Sequence, residues 1–312
     1  MSHLPHLIAK LENHAEWVKR LVLVGQKSWH TPLQKGGWSP AEVIHHFHRW
    51  DDFARNHRFI PFLGGRATFT AGAHAKFNEQ SEREVRDGLG KEAIIVQCLK
   101  SRYALIETVE KLCEEAWEQT LTIGDHDLSI HTYLQGVIEH DRHHREQIEQ
   151  FFSLEQQGKL PMVNITERCG EELPMNLLLL ADPEQAMIER YLSGGLGFLA
   201  EVEGTPVGVI VLKDKGHGLF EVMNIAVAEQ EQGKGYGKLL LLHGIHVALK
   251  RGADRIEIGT GNSSIGQLAL YQRCGFSITA VDKDFFTKHY REPIVEQGIR
   301  CEHMIRLAQD LK

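Results

Sequence analysis

A glycine-rich turn in the second half of the sequence is the most informative candidate for binding chemistry. Residues 232–238 read QGKGYGK, between a strand-like run that ends near Val227 and a leucine-rich helix-like run. Glycines let a backbone bend sharply and approach a ligand, and free amides at a helix N-terminus attract anions. Lys234 and Lys238 add positive charge. The turn therefore predicts an anion site, although a purely structural turn explains three glycines equally well.

Two other phosphate-binding patterns do not fit this turn. A dinucleotide-binding fold would need GxGxxG, with an acidic residue after the next strand. A Walker A loop would need GxxxxGK[ST]. Residues 232–238 match neither pattern.

Histidine is the second candidate for chemistry, because most of the 19 histidines lie in the first half of the chain. His140 and His144 are four residues apart and share one face of a helix. With one imidazole from a facing helix they would form a three-ligand metal site with open positions. Zn, Ni, Cu and Fe all suit neutral imidazole. An isolated HxxxH pair is more often a surface feature, and that is how we interpret His48, His57, His74 and His126.

Length and composition indicate an ordinary globular chain of two domains. The 312 residues carry a formal net charge of −7, which argues against nucleic acid or an anionic membrane as the main partner. No apolar run reaches the roughly 20 residues that span a bilayer, and the start lacks an apolar signal core. We therefore expect a cytoplasmic protein. Five dispersed cysteines without CxxC spacing favour reduced thiols.

Apolar spacing predicts four long helices in the first 157 residues, at 5–26, 40–58, 91–117 and 127–155. Ser39 and Pro40 supply an N-cap and a first-turn proline for the second helix. Asp127 or Ser129 can cap the fourth. Residues 59–90 contain glycine and are predicted to be irregular. Four long helices without strands predict a four-helix bundle, which we place at residues 1–158.

The composition changes near residues 157–161, and the chain beyond alternates between strand-like and helix-like runs. This alternation predicts a mixed α/β domain at residues 161–312. The strand-like runs are 176–180, 197–203, 206–212, 219–227, 255–259 and 301–307. The helix-like runs are 237–251 and 263–274.

The surroundings of the turn resemble the Gcn5-related N-acetyltransferase (GNAT) family. Gln232, Gly235 and Gly237 match the pattern Q/R-x-x-G-x-G/A, with EVMNIAV before it and RIEIGTGNSSIGQLALYQRCGF after it. The resemblance covers about residues 174–307. It implies an acyltransferase fold with a central, mostly antiparallel sheet and acetyl-coenzyme A (acetyl-CoA) as the donor.

The resemblance also implies roles for individual positions. The turn would hold the pyrophosphate of acetyl-CoA, the strand before it would pair with pantetheine, and Asn262 would bind the coenzyme arm. Tyr271 would protonate the departing thiolate. The coenzyme-binding residues implied are Ile225, Val227, Gln232, Gly233, Lys234, Gly235, Tyr236, Gly237, Lys238 and Asn262.

The general base is the least specific of these assignments. Glu221 lies on the strand before the turn, where such enzymes often place a carboxylate, but it could equally be a solvated strand residue. Strand alternation puts Asn224 on the opposite face from Glu221. Tyr271 could also be a core tyrosine, and Cys274 is interpreted as a small core residue. Residues 285–290 fall where such enzymes line the acceptor pocket.

The histidine-rich segments resemble the DinB-like (YfiT-like) superfamily of metal-binding four-helix bundles. WSPAEVIHHFHRWDDF and H-x-x-x-H-x-x-Q-I carry this resemblance, which covers about residues 5–157. It implies His46, His140 and His144 as ligands of a divalent metal, Zn or Ni. His45 and His143 could replace their neighbours only if the helices rotated by about 100°. Some members resemble thiol-dependent transferases, which adds a low-molecular-weight thiol as a partner.

The sequence thus predicts an acetyl-CoA-dependent N-acetyltransferase, acting on a small-molecule amine, fused to a metal-binding DinB-like domain. Two alternatives remain open for the first domain: a metal-dependent thiol S-transferase, or a module that only binds or senses a ligand. A pair of domains that merely binds coenzyme A and metal is disfavoured by the presence of Glu221, Asn262 and Tyr271. A homodimer is compatible with each alternative.

Overall fold

The computed structural model describes residues 4–70, 74–117, 119–154 and 162–312. The chain divides into two compact units, Met1–Leu160 and Pro161–Lys312. The first is helical and the second is a mixed α/β unit, so the predicted fold class is confirmed. Every helix in the described ranges is too short or too polar to span a lipid bilayer.

Four long helices form the body of the first unit: α1 (Leu4–Arg20), α3 (Pro40–Ala54), α6 (Lys91–Glu110) and α7 (Ile130–Leu154). The predicted helix 40–58 is helical throughout, since the chain stays helical beyond the end of α3 at Ala54, whereas the predicted helix 91–117 is too long because α6 ends at Glu110. After Ala54 a π-helical turn, Arg55–Phe59, precedes the next helix. The helices are α1 Leu4–Arg20, α2 Gln26–His30, α3 Pro40–Ala54, α4 Ile60–Leu63, α5 His74–Arg86, α6 Lys91–Glu110 and α7 Ile130–Leu154.

Helix α3, which carries His46, begins as predicted. The Ser39 hydroxyl accepts a hydrogen bond from the Glu42 amide, and the Glu42 carboxylate accepts one from the Ser39 amide at 2.8 Å. Ser39 and Glu42 thus form a capping box, with Pro40 in the first turn. At the start of α7, Ser129 accepts a hydrogen bond from the Thr132 amide. Asp127 lies in a strand instead.

Two features of the first unit were not predicted. Part of the supposedly irregular region 59–90 forms α5, which packs on α3. The unit also contains a small three-stranded sheet, in which Thr122 and Asp127 pair across a tight turn at Gly124. Its strands are β1 Thr68–Phe69, β2 Thr120–Ile123 and β3 His126–Ser129.

The second unit is built on a seven-stranded sheet in the order β4-β5-β6-β7-β8-β12-β9. All neighbouring strands are antiparallel except β7 and β8, which confirms the predicted mostly antiparallel sheet. The strands are β4 Val163–Arg168, β5 Leu196–Val202, β6 Thr205–Gly216, β7 Leu219–Val227, β8 Arg255–Gly261, β9 Ser277–Asp282, β10 Val295–Glu296, β11 Ile299–Arg300 and β12 Met304–Asp310.

The helices of this unit cover both faces of the sheet. The predicted strand at 176–180 is wrong, because most of this segment belongs to α8, whose Leu177 and Leu178 lie in the core. The predicted strand at 301–307 starts later, at Met304. The helices are α8 Met175–Leu178, α9 Gln185–Leu192, α10 Tyr236–Lys250, α11 Ile265–Arg273 and α12 Phe285–His289.

A β-bulge in β7 changes which residues share a face. On β6, Val211 pairs with Asn224 and Lys213 pairs with Glu221, and the register shifts between these pairs. Val211 and Lys213 are two residues apart on β6, and cross-strand partners point the same way, so Glu221 and Asn224 lie on the same face. The expectation of opposite faces is therefore wrong. Simple alternation fails because the bulge adds one residue to β7.

Candidate functional site

The glycine-rich turn forms the N-terminus of α10. Gly233 and Gly235 have φ values of 79° and 94°, which only glycine adopts without strain, and α10 begins at Tyr236. In the part of the chain described, no carbonyl or side chain accepts from the amides of residues 233–237. These amides and the helix dipole can bind an anion. Lys234 lies beside them but pairs with Glu231 at 2.9 Å.

The strand before the turn has an open edge. Parallel pairing between β7 and β8 runs from Leu219–Arg255 to Val222–Ile258, and no later pair occurs in the described ranges. The Ala228 amide donates to Val207 on the β6 side. By alternation, the backbone polar groups of Ile225 and Val227 face the gap beside β8. An extended amide chain could pair there as an additional strand.

One of these open groups is already engaged. The Gln232 side-chain amide donates to the Val227 carbonyl at 3.2 Å, which ties the turn to the end of β7. Gln232 therefore shapes the turn through this contact, whereas Gly233 and Gly235 expose their amides. At Gly237 a Cβ atom would lie 3.7 Å from Leu270 of α11, which is an ordinary contact. Alanine, which the family motif allows at this position, would therefore fit.

Asn262 lies at the end of β8, and its side chain is engaged within the protein. Its Oδ1 accepts from the amides of Glu302 and His303, both at 2.8 Å, and its Nδ2 donates to the Arg300 carbonyl at 3.1 Å. These bonds fix the segment that leads into β12. The coenzyme-binding role of Asn262 stays a prediction.

Tyr271 lies on α11, which packs beside the first turn of α10. It is 4% exposed, and burial raises the pKa of its phenol. The hydroxyl is therefore protonated at neutral pH, as a proton donor must be. Cys274 on the next turn is fully buried, in agreement with its interpretation as a core residue.

Glu221 is held between two cations. Its carboxylate lies 3.0 Å from Lys215 and 2.9 Å from Arg306, which also binds Asp282. To accept a proton from an amine or a water, Glu221 would have to loosen one of these ion pairs. Arg306 comes from β12 and is far from Glu221 in sequence, so no local pattern pointed to it.

A buried polar cluster lies on the same face of the sheet as Glu221. Asn224 donates to the Tyr191 hydroxyl at 2.8 Å, while its own Oδ1 is buried without a partner among the described residues. Tyr290, at the end of the predicted acceptor segment 285–290, donates to Asp182 at 3.3 Å. Burial raises the pKa of the Asp182 carboxyl. Sequence reasoning missed Tyr191 and Asp182, because they lie on elements it did not resolve.

In the first unit, α3 and α7 bring His46, His140 and His144 together. One ligand nitrogen from each lies within 4.8 Å of the others, and the two Nε2 atoms of His46 and His140 are 3.1 Å apart. Two imidazoles bound to one tetrahedral zinc at about 2.0–2.1 Å have nitrogens about 3.3 Å apart. The three side chains therefore fit a divalent metal without rearrangement of the helices.

The cluster is electronically suited to a cation. Burial, with the neighbouring imidazoles, lowers the pKa of His46 to about 3 and that of His140 to about 4. It also lowers the pKa of His144. All three imidazoles are neutral at pH 7, so each can present a lone pair.

Neighbouring residues orient the ligands. The Gln147 amide oxygen accepts from His144 Nδ1 at 2.9 Å, which leaves His144 Nε2 as the lone-pair nitrogen. Trp38 packs against His46, with ring centroids 4.9 Å apart, and its indole N–H donates to Glu82. The adjacent His45 is turned toward Glu84, and His143 lies on the exposed side of α7, so neither joins the cluster.

A buried ion cluster links the helices that carry these histidines. Arg102 of α6 binds Asp51 of α3 at 2.7 Å and Asp141 of α7 at 2.5 Å. Burial raises the pKa of Asp51 to about 7. Burial also acts to raise the pKa of Asp141, but Arg102 and His14 outweigh it and lower that pKa. An aspartate next to His140 was the only sequence signal for this cluster.

A cavity of about 550 Å³ opens beside His144. The loop between α2 and α3 forms one wall, and the last turns of α7 form the other. The Leu33 amide donates to the Trp38 carbonyl at 2.8 Å, which folds the loop back on itself. Trp38 and Gln147 belong to both the cavity wall and the surroundings of the histidine cluster.

Comparison with known proteins identifies both units. Residues 165–276 match the acetyltransferase (GNAT) family, and residues 11–148 match the DinB superfamily. The "Uncharacterized N-acetyltransferase YvbK" of Bacillus subtilis is 50% identical over 149 residues, which cover 48% of this chain and 96% of that protein.

Two solved structures are similar to the second unit. An IAA acetyltransferase from Bacillus cereus shares 50% identity, covering 47% of this chain and 99% of that one, with a TM-score of 0.47. A GNAT family acetyltransferase from Elizabethkingia anophelis with acetyl-CoA bound shares 43% identity, covering 47% and 97%, with a TM-score of 0.46. From its family match and its relative in Bacillus subtilis, the chain belongs to the GNAT family of N-acetyltransferases, and a DinB-superfamily domain precedes its acetyltransferase domain.

Proposed function

We propose that the second unit transfers an acetyl group from acetyl-CoA to the amine of a small molecule. The observation that carries this proposal is the pairing of a left-handed glycine turn with an open strand edge. The free amides of residues 233–237 suit a pyrophosphate, and the edge at Ile225 and Val227 suits the amides of pantetheine. A ligand that needs both is a coenzyme A thioester.

The residues around this site can carry both proton transfers. The acceptor amine must lose a proton and attack the thioester carbonyl, and the thiolate must leave. We assign proton removal to Glu221, acting through a water. Tyr271 would return a proton to the sulfur from its phenol, which is protonated at neutral pH. The buried cluster of Asn224, Tyr191 and Asp182 lies on the same face as Glu221 and can hydrogen-bond an amine.

A pair of glycine substitutions tests the donor site. Gly235→Ala places a Cβ at φ 94°, which costs about 1–3 kcal/mol and distorts the turn. Gly237→Ala fits, because its Cβ would meet Leu270 at 3.7 Å. By calorimetry we expect Gly235→Ala to weaken acetyl-CoA binding at least about tenfold and Gly237→Ala to change it little.

Circular dichroism of both variants controls for the loss of folded protein. Equal affinities for acetyl-CoA in folded Gly235→Ala and wild-type protein would refute the assignment of the turn. An acetylation screen against panels of amines, with release of the thiol as the readout, would then identify the acceptor.

For the first unit we propose a divalent metal, Zn or Ni, bound by His46, His140 and His144. Three neutral imidazoles with one position open can activate a bound water or thiol. A low-molecular-weight thiol would make this unit an S-transferase. Without turnover, the same site would serve for binding or sensing.

Two adjacent histidines provide the test of the metal site. His144→Ala removes a ligand, whereas His143→Ala removes an exposed neighbour on the same helix. After dialysis against zinc, we expect about one equivalent of metal in the wild type and in His143→Ala, and a large loss in His144→Ala. Equal metal content in all three proteins would contradict the proposed ligand set.

A further inference from the structure

We infer that the cavity beside His144 is a specific binding site for an uncharged small molecule rich in amide or hydroxyl groups. This inference rests on the proposed metal site, since it places the bound molecule next to that site. The volume of the cavity, about 550 Å³, is within the range of small-molecule sites.

The chemistry of the wall determines the class of ligand. Its polar side chains include three carboxamides, Gln34, Gln147 and Gln150, and no Asp, Glu, Lys or Arg belongs to the wall in the described ranges. The one titratable wall residue, His144, points its Nε2 toward the histidine cluster. Gln147 is already bonded through its oxygen to His144 and through its amide nitrogen to His143 at 3.1 Å. The carboxamides offered to a ligand are therefore those of Gln34 and Gln150, which both donate and accept and so match amides and hydroxyls. A charged ligand would find no ion-pair partner among the described residues of this wall.

The remaining wall is apolar and orders the ligand. Trp38 presents a flat surface, and its indole N–H is fixed by Glu82 at 2.8 Å. Leu33, Val43 and Phe151 are the other large apolar side chains of the wall. A ligand would therefore stack an apolar or ring portion on Trp38 and direct its polar groups to the glutamines.

The cavity is also connected to the histidine cluster. Gln147 lines the cavity and accepts from His144 Nδ1 at 2.9 Å, and Trp38 lines it and packs on His46. A molecule in the cavity therefore contacts two side chains that position the proposed metal ligands. Its end nearest His144 then lies beside one of the proposed metal ligands.

The test uses the full chain loaded with Co²⁺ and two thiols that differ only in charge, N-acetylcysteine amide and N-acetylcysteine. The thiolate-to-cobalt absorption band reports binding without any turnover. We expect the neutral amide to bind at least about tenfold more tightly than the carboxylate. Gln150→Lys, at an exposed position of the wall, should shift the preference toward the carboxylate.

Gln135→Lys is the matched control, because Gln135 is exposed on the same helix and lies outside the cavity wall. It should leave both affinities unchanged. If cobalt binds but both thiols bind equally well, or if Gln150→Lys has no effect on the preference, the inference about the cavity is wrong while the metal site stands. Failure to take up cobalt would overturn the metal site and this inference with it.

Discussion

Glu221 and Tyr271 carry the two proton transfers proposed for the acetyltransferase unit, and their surroundings differ. Tyr271 is enclosed in the core of the unit, where burial holds its phenol in the protonated form. Glu221 lies between Lys215 and Arg306 on the sheet face that also carries Asn224. Burial thus dominates the surroundings of Tyr271, and ion pairs dominate those of Glu221. The two residues can therefore be tested by separate substitutions.

Replacing Glu221 with Gln should lower kcat by about 10²–10⁴-fold, because this change removes the general base but keeps the shape of the side chain. The KM for acetyl-CoA should change little. Steady-state kinetics provide the measurement. Glu257→Gln is the matched control, since Glu257 pairs with Glu221 across β7 and β8 and binds Arg255. A kcat near the wild-type value in Glu221→Gln would show that Glu221 forms ion pairs but is not the general base.

Replacing Tyr271 with Phe should lower kcat by about 10²-fold or more, because the thiolate would leave without a proton donor. The ring would still fill its place in the core, so the thermal midpoint and the affinity for acetyl-CoA should be preserved. Calorimetry and single-turnover kinetics separate these effects. An unchanged rate of the chemical step would make Tyr271 a core residue only.

At the scale of elements, helices α3, α6 and α7 are joined by the cluster of Asp51, Arg102 and Asp141. Arg102 is 1% exposed and lies within 2.7 Å of both carboxylates. The two aspartates flank the histidine ligands in sequence, because Asp51 follows His46 by five residues and Asp141 follows His140 directly. The cluster thus fixes the relative positions of the helices that carry the histidines.

Replacing Arg102 with Met should destabilise the first unit by about 3–5 kcal/mol, because two carboxylates would stay buried without a cation. Urea unfolding followed by tryptophan fluorescence measures this loss. Arg142→Met is the control: Arg142 is exposed on α7 and pairs only with Glu139 and Glu146 among the described residues, so its loss should cost less than about 1 kcal/mol. A loss for Arg102→Met as small as that for Arg142→Met would contradict the role of the cluster.

At the scale of the whole molecule, acid should destabilise the first unit. Burial lowers the pKa of several histidines in the first unit to about 3 or 4: His14, His45, His46, His48 and His140. In the unfolded chain these groups bind protons below about pH 6.5. The unfolded state thus holds more protons between about pH 6.5 and 4, so this stability is present above that window and is lost as the pH falls through it.

We therefore expect the chelator-treated first unit to lose stability as the pH falls from about 6.5 to 4. Tryptophan fluorescence reports this unit alone, since all five tryptophans precede residue 118. The measurement is the urea midpoint as a function of pH. Added zinc should move the acid transition to lower pH, because metal-bound imidazoles resist protonation. A midpoint independent of pH across this window would contradict the buried neutral histidines.

Features that depend on local spacing could be read from the sequence. The N-cap at Ser39 with Pro40 after it, the bounds of β7, and the start of α10 after the glycine turn each depend on residues close together in the chain. The family resemblances and the overall fold class followed from such motifs. For the same reason, the spacing of His140 and His144 is sufficient to place both on one face of a helix.

Features that join distant segments depended on the tertiary fold. The bulge in β7 placed Glu221 and Asn224 on one face, and its evidence is the register with β6 rather than any pattern in β7 itself. The Arg306 and Arg102 ion pairs, the bonds that engage Asn262, and the cavity at Trp38 each join residues from separate elements. Helix α8 was mistaken for a strand because a short apolar run has the same composition in both, and only packing against the sheet distinguishes them.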